Sequence, residues 1–241
     1  MRIIVKENYQ QMSKQAALFT SSLIHLQPDC VLGLATGSTP LGMYKNLIKM
    51  YENDDIDFSR VKTFNLDEYY PIKPDNPQSY HHYMKTNLFN HINIKNNNVH
   101  LLDGTAENVE QECKNYEQKI KQCGGIDLQI LGIGTNGHIG FNEPGDKLNV
   151  TTHLVNLKEE TIKNNSRFFD SKEDVPRKAL TVGISTILKA KRIILLASGR
   201  DKAEAIKKTV SDYVTTATPS TLLQTHPELI LILDEKAASL L

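Results

Sequence analysis

Short apolar runs alternate with amphipathic stretches along most of the chain. Apolar residues recur at steps of three and four between residues 12 and 26 and again between 109 and 123, which predicts two helices with one buried face each. Further helices are predicted from Pro40, near Ser79 and after Asp201. The predicted strands are the short β-rich runs at 3–5, 30–34, 61–65, 98–102, 126–132, 192–197 and 229–233.

This order of elements predicts the fold class. Near-continuous apolar strands that alternate with helices are typical of a parallel sheet covered on both faces. We therefore expect an α/β fold, with a single doubly wound, mostly parallel sheet, in one domain over residues 1–241. The polar segment from about 158 to 178 is expected to form a mobile active-site flap. In such sheets ligands bind beyond the carboxyl ends of the strands.

Composition narrows the possible partners. Lys+Arg and Asp+Glu number 28 each, so the net charge is near zero and no basic run suggests nucleic-acid binding. An anionic ligand would then need a local site. No stretch reaches the roughly 18 apolar residues that span a bilayer, and no signal peptide is evident. Three cysteines without a CxxC pair favour reduced thiols over a disulfide or metal site, and thus a cytoplasmic protein.

The first candidate site follows the second predicted strand. Residues Thr36, Gly37, Ser38 and Thr39 form a small-residue turn, with Thr39 suited to a helix N-cap and Pro40 to the first helical position. Free N–H groups and the positive end of a helix dipole make such a turn an anion site. The Lys of a Walker loop is absent, and the GxGxxG pattern is not matched. An ordinary strand-to-helix turn remains the alternative.

Two more candidates follow strands. Asp67 and Glu68 come just after the third predicted strand, where a carboxylate facing the crevice can act as a general base, although solvated loop acids are common. The stretch 132–145 holds five glycines around His138, whose imidazole can exchange protons near neutral pH and whose orientation or charge Glu143 could set. Metal-ligand spacings such as HExxH are absent, so no metal is expected.

Two cations complete the set. Arg167 lies within the proposed flap, and Lys202 follows a strand and opens a helix. A phosphate bound at the first turn would gain from cations that converge on it, although each residue alone is more often a solvated surface charge.

These stretches together resemble the glucosamine-6-phosphate deaminase family. The matching segments appear in family order over nearly the whole chain, which is more specific than any single motif. They are Thr-Gly-Ser-Thr-Pro at 36–40, Phe-Asn-Leu-Asp-Glu-Tyr at 64–69, Gly-His-Ile-Gly-Phe-Asn-Glu-Pro-Gly at 137–145, Asn-Ser-Arg-Phe-Phe at 165–169, Ala-Leu-Thr-Val-Gly-Ile-Ser-Thr-Ile at 179–187 and Ser-Gly-Arg-Asp-Lys-Ala at 198–203.

The resemblance implies a reaction and a set of roles. Glucosamine 6-phosphate would be isomerised and deaminated to fructose 6-phosphate and ammonia, without a cofactor. Asp67 would move a proton between C2 and C1, and His138 would assist ring opening, with Asn136 and Glu143 setting its orientation and charge. The phosphate would be bound by Thr36, Gly37, Ser38, Thr39, Arg167 and Lys202.

The chain departs from the family pattern at two places. Some relatives carry Asp at the position of Asn136, so we expect a weaker preference for protonated His138 here. Hexameric, allosterically activated relatives use basic residues where this chain has His153 and Val155. We therefore expect no activation by N-acetylglucosamine 6-phosphate, and a monomer or small homo-oligomer.

Two alternative functions remain at this point. A 6-phosphogluconolactonase-like hydrolase shares the fold and the Gly-His loop, but lactonases are expected to continue with a Thr-Ala-Ser-Leu-Phe-Pro type of sequence, unlike Ile-Gly-Phe-Asn-Glu-Pro at 139–144. A non-catalytic sugar-phosphate sensor should lack the base or carry a DNA-binding module, whereas Asp67 and His138 are both present.

Overall fold

The computed structural model describes residues 1–166, 169, 171 and 174–241. Its strands are β1 (Arg2–Lys6), β2 (Val31–Leu34), β3 (Lys62–Asn65), β4 (Asp67–Tyr70), β5 (Val99–His100), β6 (Leu128–Leu131), β7 (His153–Asn156), β8 (Lys178–Thr181), β9 (Ile193–Ala197) and β10 (Leu229–Asp234). Its α-helices are α1 (Tyr9–Leu26), α2 (Leu41–Glu52), α3 (Tyr80–Asn87), α4 (Val109–Gln122), α5 (Glu159–Asn165), α6 (Ile184–Leu188) and α7 (Ala203–Thr209).

Seven strands form one parallel sheet, in the order β1-β10-β9-β6-β2-β3-β5. The chain moves outward from β2 through β3 to β5, then returns to the other side of β2 with β6 and continues toward β1. The strand order therefore reverses between β2 and β6, and a crevice opens beyond the carboxyl ends of strands at such a point. Every strand expected from the apolar runs is present, although the run 98–102 yields only the two residues of β5.

Helices cover both faces of this sheet, which confirms the doubly wound α/β prediction. One core cluster joins the sheet to α1, α2 and α3 through residues such as Met12, Met43 and Met84. The other joins it to α4, α6 and α7 through residues such as Tyr116 and Ile206. Because strands buried on both faces need apolar side chains in both directions, β2 and β9 are continuous apolar runs, and β6 is interrupted only by buried Gln129.

The structure adds a second, smaller sheet that the apolar pattern did not predict. Strands β4, β8 and β7 pair antiparallel in that order, with Asp67 opposite Thr181. The two sheets meet at Leu66, the single residue between β3 and β4, whose carbonyl accepts a hydrogen bond of 2.7 Å from the backbone N–H of Val182. The strand β4 is thus held just beyond the carboxyl end of β3.

The start of α2 differs from the prediction by one residue. Leu41 is the first helical residue and Pro40 is the N-cap, with no side-chain cap, so the assignment of Thr39 as N-cap is wrong. The reason lies in the preceding turn, which begins at Gly37 with a left-handed φ of 87° and continues through Pro40. The first helical hydrogen bond accordingly runs from the N–H of Tyr44 to the carbonyl of Pro40, at 3.0 Å.

The proposed flap is described in part. Its first seven residues after Lys158 form α5, and Lys178 already belongs to β8. Arg167, which the sequence places in this segment, lies outside the described residues.

Candidate active site

A cavity of about 490 Å³ opens at the reversal point between β2 and β6. It brings together seven of the residues singled out in the sequence, which are Thr36, Gly37, Ser38, Thr39, Asp67, His138 and Lys202. Asn136 and Glu143 do not line it, but both lie against His138. Residues that follow the strands β2, β3, β6 and β9 therefore line the same cavity, as the sequence predicts.

The turn after β2 forms one wall of the cavity. No described residue accepts a hydrogen bond from the N–H groups of Gly37, Ser38 or Thr39. Unpaired N–H groups at the start of the twelve-residue helix α2, with the hydroxyls of Ser38 and Thr39, are donors that suit an anion.

His138 lies on the glycine-rich loop after β6, and its ring is fixed from two sides. Its Nδ1 lies 2.8 Å from Oδ1 of Asn136 and 3.6 Å from Oε2 of Glu143. On the other side the ring packs against the backbone of Gly134, where any Cβ would overlap the imidazole. The loop needs glycine at Gly137 too, because that residue has a φ of 83° and packs against Thr218.

The charge of His138 depends on three neighbours and on burial. Burial lowers the pKa of His138 below its usual value of 6.5, and Lys202 lowers it further, whereas the carboxylates of Glu143 and Glu160 act in the opposite direction. The net direction favours a neutral imidazole in the ligand-free protein. A neutral ring with Nδ1 held near Asn136 and Glu143 leaves Nε2 to exchange a proton with a ligand.

Glu143 is itself buried and shares its two oxygens between partners. Its Oε2 accepts a hydrogen bond of 3.1 Å from Nδ2 of Asn136, and its Oε1 accepts a short one from the hydroxyl of Thr161. Thr161 belongs to α5, so the helix that begins the proposed flap contacts one of the carboxylates that raise the pKa of His138. Nothing in the sequence pattern distinguishes this threonine from its neighbours.

Asp67 is the first residue of β4 and faces the cavity with only 6% of its surface exposed. Burial, and then the nearby charge of Glu68, raise the pKa of Asp67 to about 8. A carboxyl group with such a pKa can both accept and return a proton near neutral pH, which is the requirement for a general base that moves a proton between two carbons.

The adjacent acid, Glu68, has a different task. It is fully buried and accepts hydrogen bonds from the backbone N–H groups of Tyr80 and His81, at 2.9 and 3.0 Å, and one of 2.9 Å from the His81 ring. Because Tyr80 is the first residue of α3, this carboxylate caps that helix. Side chains of adjacent strand residues point to opposite faces, so only Asp67 of the two reaches the cavity.

Among the described residues, Lys202 is the cationic side chain that lines the cavity. Its side chain is 19% exposed, and Nζ lies 3.5 Å from the exposed carboxylate of Asp201. The preceding turn is anchored by buried Asp234, which accepts hydrogen bonds from the hydroxyl of Ser198 and the N–H of Gly199. The other predicted cation, Arg167, lies outside the described residues.

Among the described residues, no three His, Cys, Asp or Glu side chains converge in a way that could hold a metal ion. No helix in that part of the chain is long and apolar enough to cross a membrane.

A turn with unpaired N–H groups shares this cavity with a buried carboxyl group and a buried imidazole. This combination is typical of a class, the α/β enzymes that transfer protons on phosphorylated small molecules. Sequence comparison makes the class specific. The chain belongs to the family of glucosamine-6-phosphate isomerases and 6-phosphogluconolactonases, whose model matches residues 6–231.

Close relatives share the full length of the chain. Glucosamine-6-phosphate deaminase of Halothermothrix orenii is 66% identical over 100% of both chains, and that of Alkaliphilus metalliredigens is 60% identical over the same share. A solved monomeric glucosamine-6-phosphate deaminase superposes with a TM-score of 0.98 at 44% identity, over 100% of each chain. The 6-phosphogluconolactonase of Thermotoga maritima has a TM-score of 0.76 at 22% identity, covering 97% of this chain and 99% of its own, which shows a shared fold.

Proposed function

We propose that this enzyme converts α-D-glucosamine 6-phosphate and water to β-D-fructose 6-phosphate and ammonia. The observation that carries the proposal is the position of Asp67 and His138 in the same cavity as the turn 36–39. A sugar phosphate whose phosphate sits on that turn presents its reacting carbons to a base and its ring oxygen to an acid. Full-length identity of 66% to a relative that bears the name of this activity supports it.

The geometry supports the following roles. The N–H groups and hydroxyls of the turn, together with Lys202, would bind the phosphate, and Arg167 is the further cation that we assign to it. His138, with its Nδ1 held by Asn136, would take the proton of the C1 hydroxyl and return one to the ring oxygen, which opens the ring.

Asp67 then performs the isomerisation. Its carboxylate would take the proton from C2 to give a cis-enolamine, and return it to C1 to give an imine at C2. Water adds at C2 and ammonia leaves, which completes the ketose phosphate. Glu143, at 3.6 Å from Nδ1, stabilises His138 whenever the ring carries a positive charge.

Ammonia release in metal-free buffer tests the proposal, with wild type beside Asp67→Asn and His138→Gln. We expect release by wild type, no detectable release by Asp67→Asn and strongly slowed release by His138→Gln. Thermal melting of each variant is the control for folding. Wild-type protein that binds the sugar phosphate without releasing ammonia would refute the proposal, and hydrolysis of 6-phosphogluconolactone in a parallel assay would replace it with the lactonase function.

We also propose a monomer or small homo-oligomer without activation by N-acetylglucosamine 6-phosphate, located in the cytoplasm. Similarity to a solved deaminase that is monomeric supports the first part, and His153 and Val155 stand where activated relatives have cations. The free thiols of Cys30 and Cys113, both buried, suit a reducing compartment. Light scattering tests the assembly, and sigmoidal kinetics relieved by the effector would contradict the lack of activation.

A further inference from the structure

Three tyrosine hydroxyls from three different helices hold the turn after β2. Tyr44 of α2 donates a hydrogen bond of 2.5 Å to the carbonyl of Ala35. Tyr83 of α3 donates one of 2.6 Å to the carbonyl of Gly37. Tyr9 of α1 donates one of 3.0 Å to the carbonyl of Ser38 and accepts another of 2.7 Å from the N–H of Gly42.

These bonds fix the direction of the turn's N–H groups. In a trans peptide the carbonyl oxygen and the following N–H point in opposite directions. A carbonyl of Gly37 that points to Tyr83 therefore turns the N–H of Ser38 away from Tyr83, and the bond from Tyr9 does the same for the N–H of Thr39. Neither N–H has an acceptor among the described residues, and both residues line the cavity.

Tyrosine suits this task because its hydroxyl stays a donor. Burial raises the pKa of Tyr44 well above 10 and raises that of Tyr83 as well, so neither ring ionises at the pH of any assay of the enzyme. A phenylalanine would fill the same volume but leave a carbonyl without its partner. That carbonyl could then rotate toward the cavity, where it would repel a phosphate.

We propose that Tyr9, Tyr44 and Tyr83 are positioning residues that aim the N–H groups of the turn 36–39 at the phosphate of the substrate. Tyr83 also lines the cavity, but its hydroxyl donates to the carbonyl of Gly37, so we assign it the task of holding the turn and not that of a phosphate ligand. The inference rests on the proposed function for the identity of the ligand, but the geometric claim applies to any phosphate bound at the turn.

The test variants are Tyr83→Phe and Tyr9→Phe, with Tyr116→Phe as the matched control. Tyr116 also donates its hydroxyl to a backbone carbonyl at a strand end, that of Asn65 at 2.7 Å, and it does not line the cavity. The control therefore removes the same kind of bond without touching the turn. Tyr44 and the control Tyr116 are both fully buried, so thermal melting of Tyr44→Phe and Tyr116→Phe precedes the comparison of their binding constants.

Calorimetric binding of inorganic phosphate and steady-state kinetics with glucosamine 6-phosphate are the two readouts. We expect Tyr83→Phe to raise the phosphate Kd and the substrate KM roughly tenfold, the equivalent of one well-placed hydrogen bond, while kcat stays within about twofold. Tyr116→Phe should leave both constants unchanged at a similar loss of Tm.

Equal shifts of Kd in Tyr83→Phe and Tyr116→Phe would overturn the inference, as would a fall in kcat at unchanged KM. The phosphate titration separates this result from the proposed function. If wild type releases no ammonia but Tyr83→Phe still weakens phosphate binding selectively, the positioning role stands while the reaction assignment fails.

Discussion

Replacing Asn136 with Asp should raise the pKa of His138, and the structure gives the size of the change. Oδ1 of Asn136 accepts hydrogen bonds from the backbone N–H of His138 at 3.1 Å and from its ring at 2.8 Å. An aspartate in the same rotamer keeps both bonds and adds a negative charge about 4 Å from the centre of the ring. At an effective dielectric constant near 20 this attraction is worth about 4 kcal/mol.

Repulsion between carboxylates takes back part of that gain. Nδ2 of Asn136 donates to Oε2 of Glu143 at 3.1 Å, and in Asn136→Asp an oxygen replaces this donor. Two carboxylates at such a short distance repel each other, so both cannot be fully ionised without a cost in free energy. The surroundings of His138 therefore gain less than one full negative charge. We therefore expect the pKa of His138 to rise in the variant, by less than the attraction of the new carboxylate alone would give.

A pH titration of the imidazole signals by long-range ¹H–¹⁵N NMR measures this shift, with His138→Gln used to assign the signal. Asn115→Asp is the matched control, because it adds the same charge on the exposed side of α4. Solvent screening there should leave the pKa of His138 unchanged. An unchanged or lowered pKa in Asn136→Asp would refute the reasoning, since it would mean that burial alone determines the charge of His138.

Two further outcomes are expected. Burial raises the pKa of Asp67 to about 8, and the proposed reaction needs its ionised form. We therefore expect kcat/KM to rise with pH below about 8 and to level off above it. A pH profile that is flat between pH 6 and 8 would contradict this. Gly134→Ala should lower kcat by about 100-fold, because the new Cβ displaces the ring of His138, whereas Gly145→Ala, whose nearest neighbour is 3.6 Å away, should retain activity in the same assay. Equal activities of the two variants would show that the ring tolerates displacement.

Most of the main sheet could be predicted because its strands β2, β6, β9 and β10 are largely buried on both faces and therefore consist mainly of apolar residues. The small sheet could not be predicted in this way, because β4 and β7 carry polar residues and give no continuous apolar run. In β4 the acids Asp67 and Glu68 look like part of a solvated loop, yet one faces the cavity and the other caps α3. In β7 only alternate residues are partly buried, so the four-residue run His153–Asn156 gives little hydrophobic signal.

The candidate site also has a part that the sequence predicts and a part that it does not. Glycines, hydroxyls and a histidine directly after strands are a local signal, and the sequence alone singles out the turn 36–39, Asp67 and His138. Contacts that join distant segments leave no such signal. Thr161 reaches Glu143 across eighteen residues, and Tyr83 reaches Gly37 across forty-six, so their roles become visible only once the chain is folded.

The junction of the two sheets at Leu66 has a consequence for substrate choice. The proposed general base, Asp67, stands on the small sheet, whereas the turn 36–39, the proposed phosphate site, follows a strand of the large one. The distance between them therefore depends on how the two sheets pack. Substrate length is in this sense a property of the hydrophobic core. Evolution toward a shorter or longer sugar phosphate can therefore act on buried positions such as Val182, whose N–H joins the sheets, while every residue that touches the ligand stays the same.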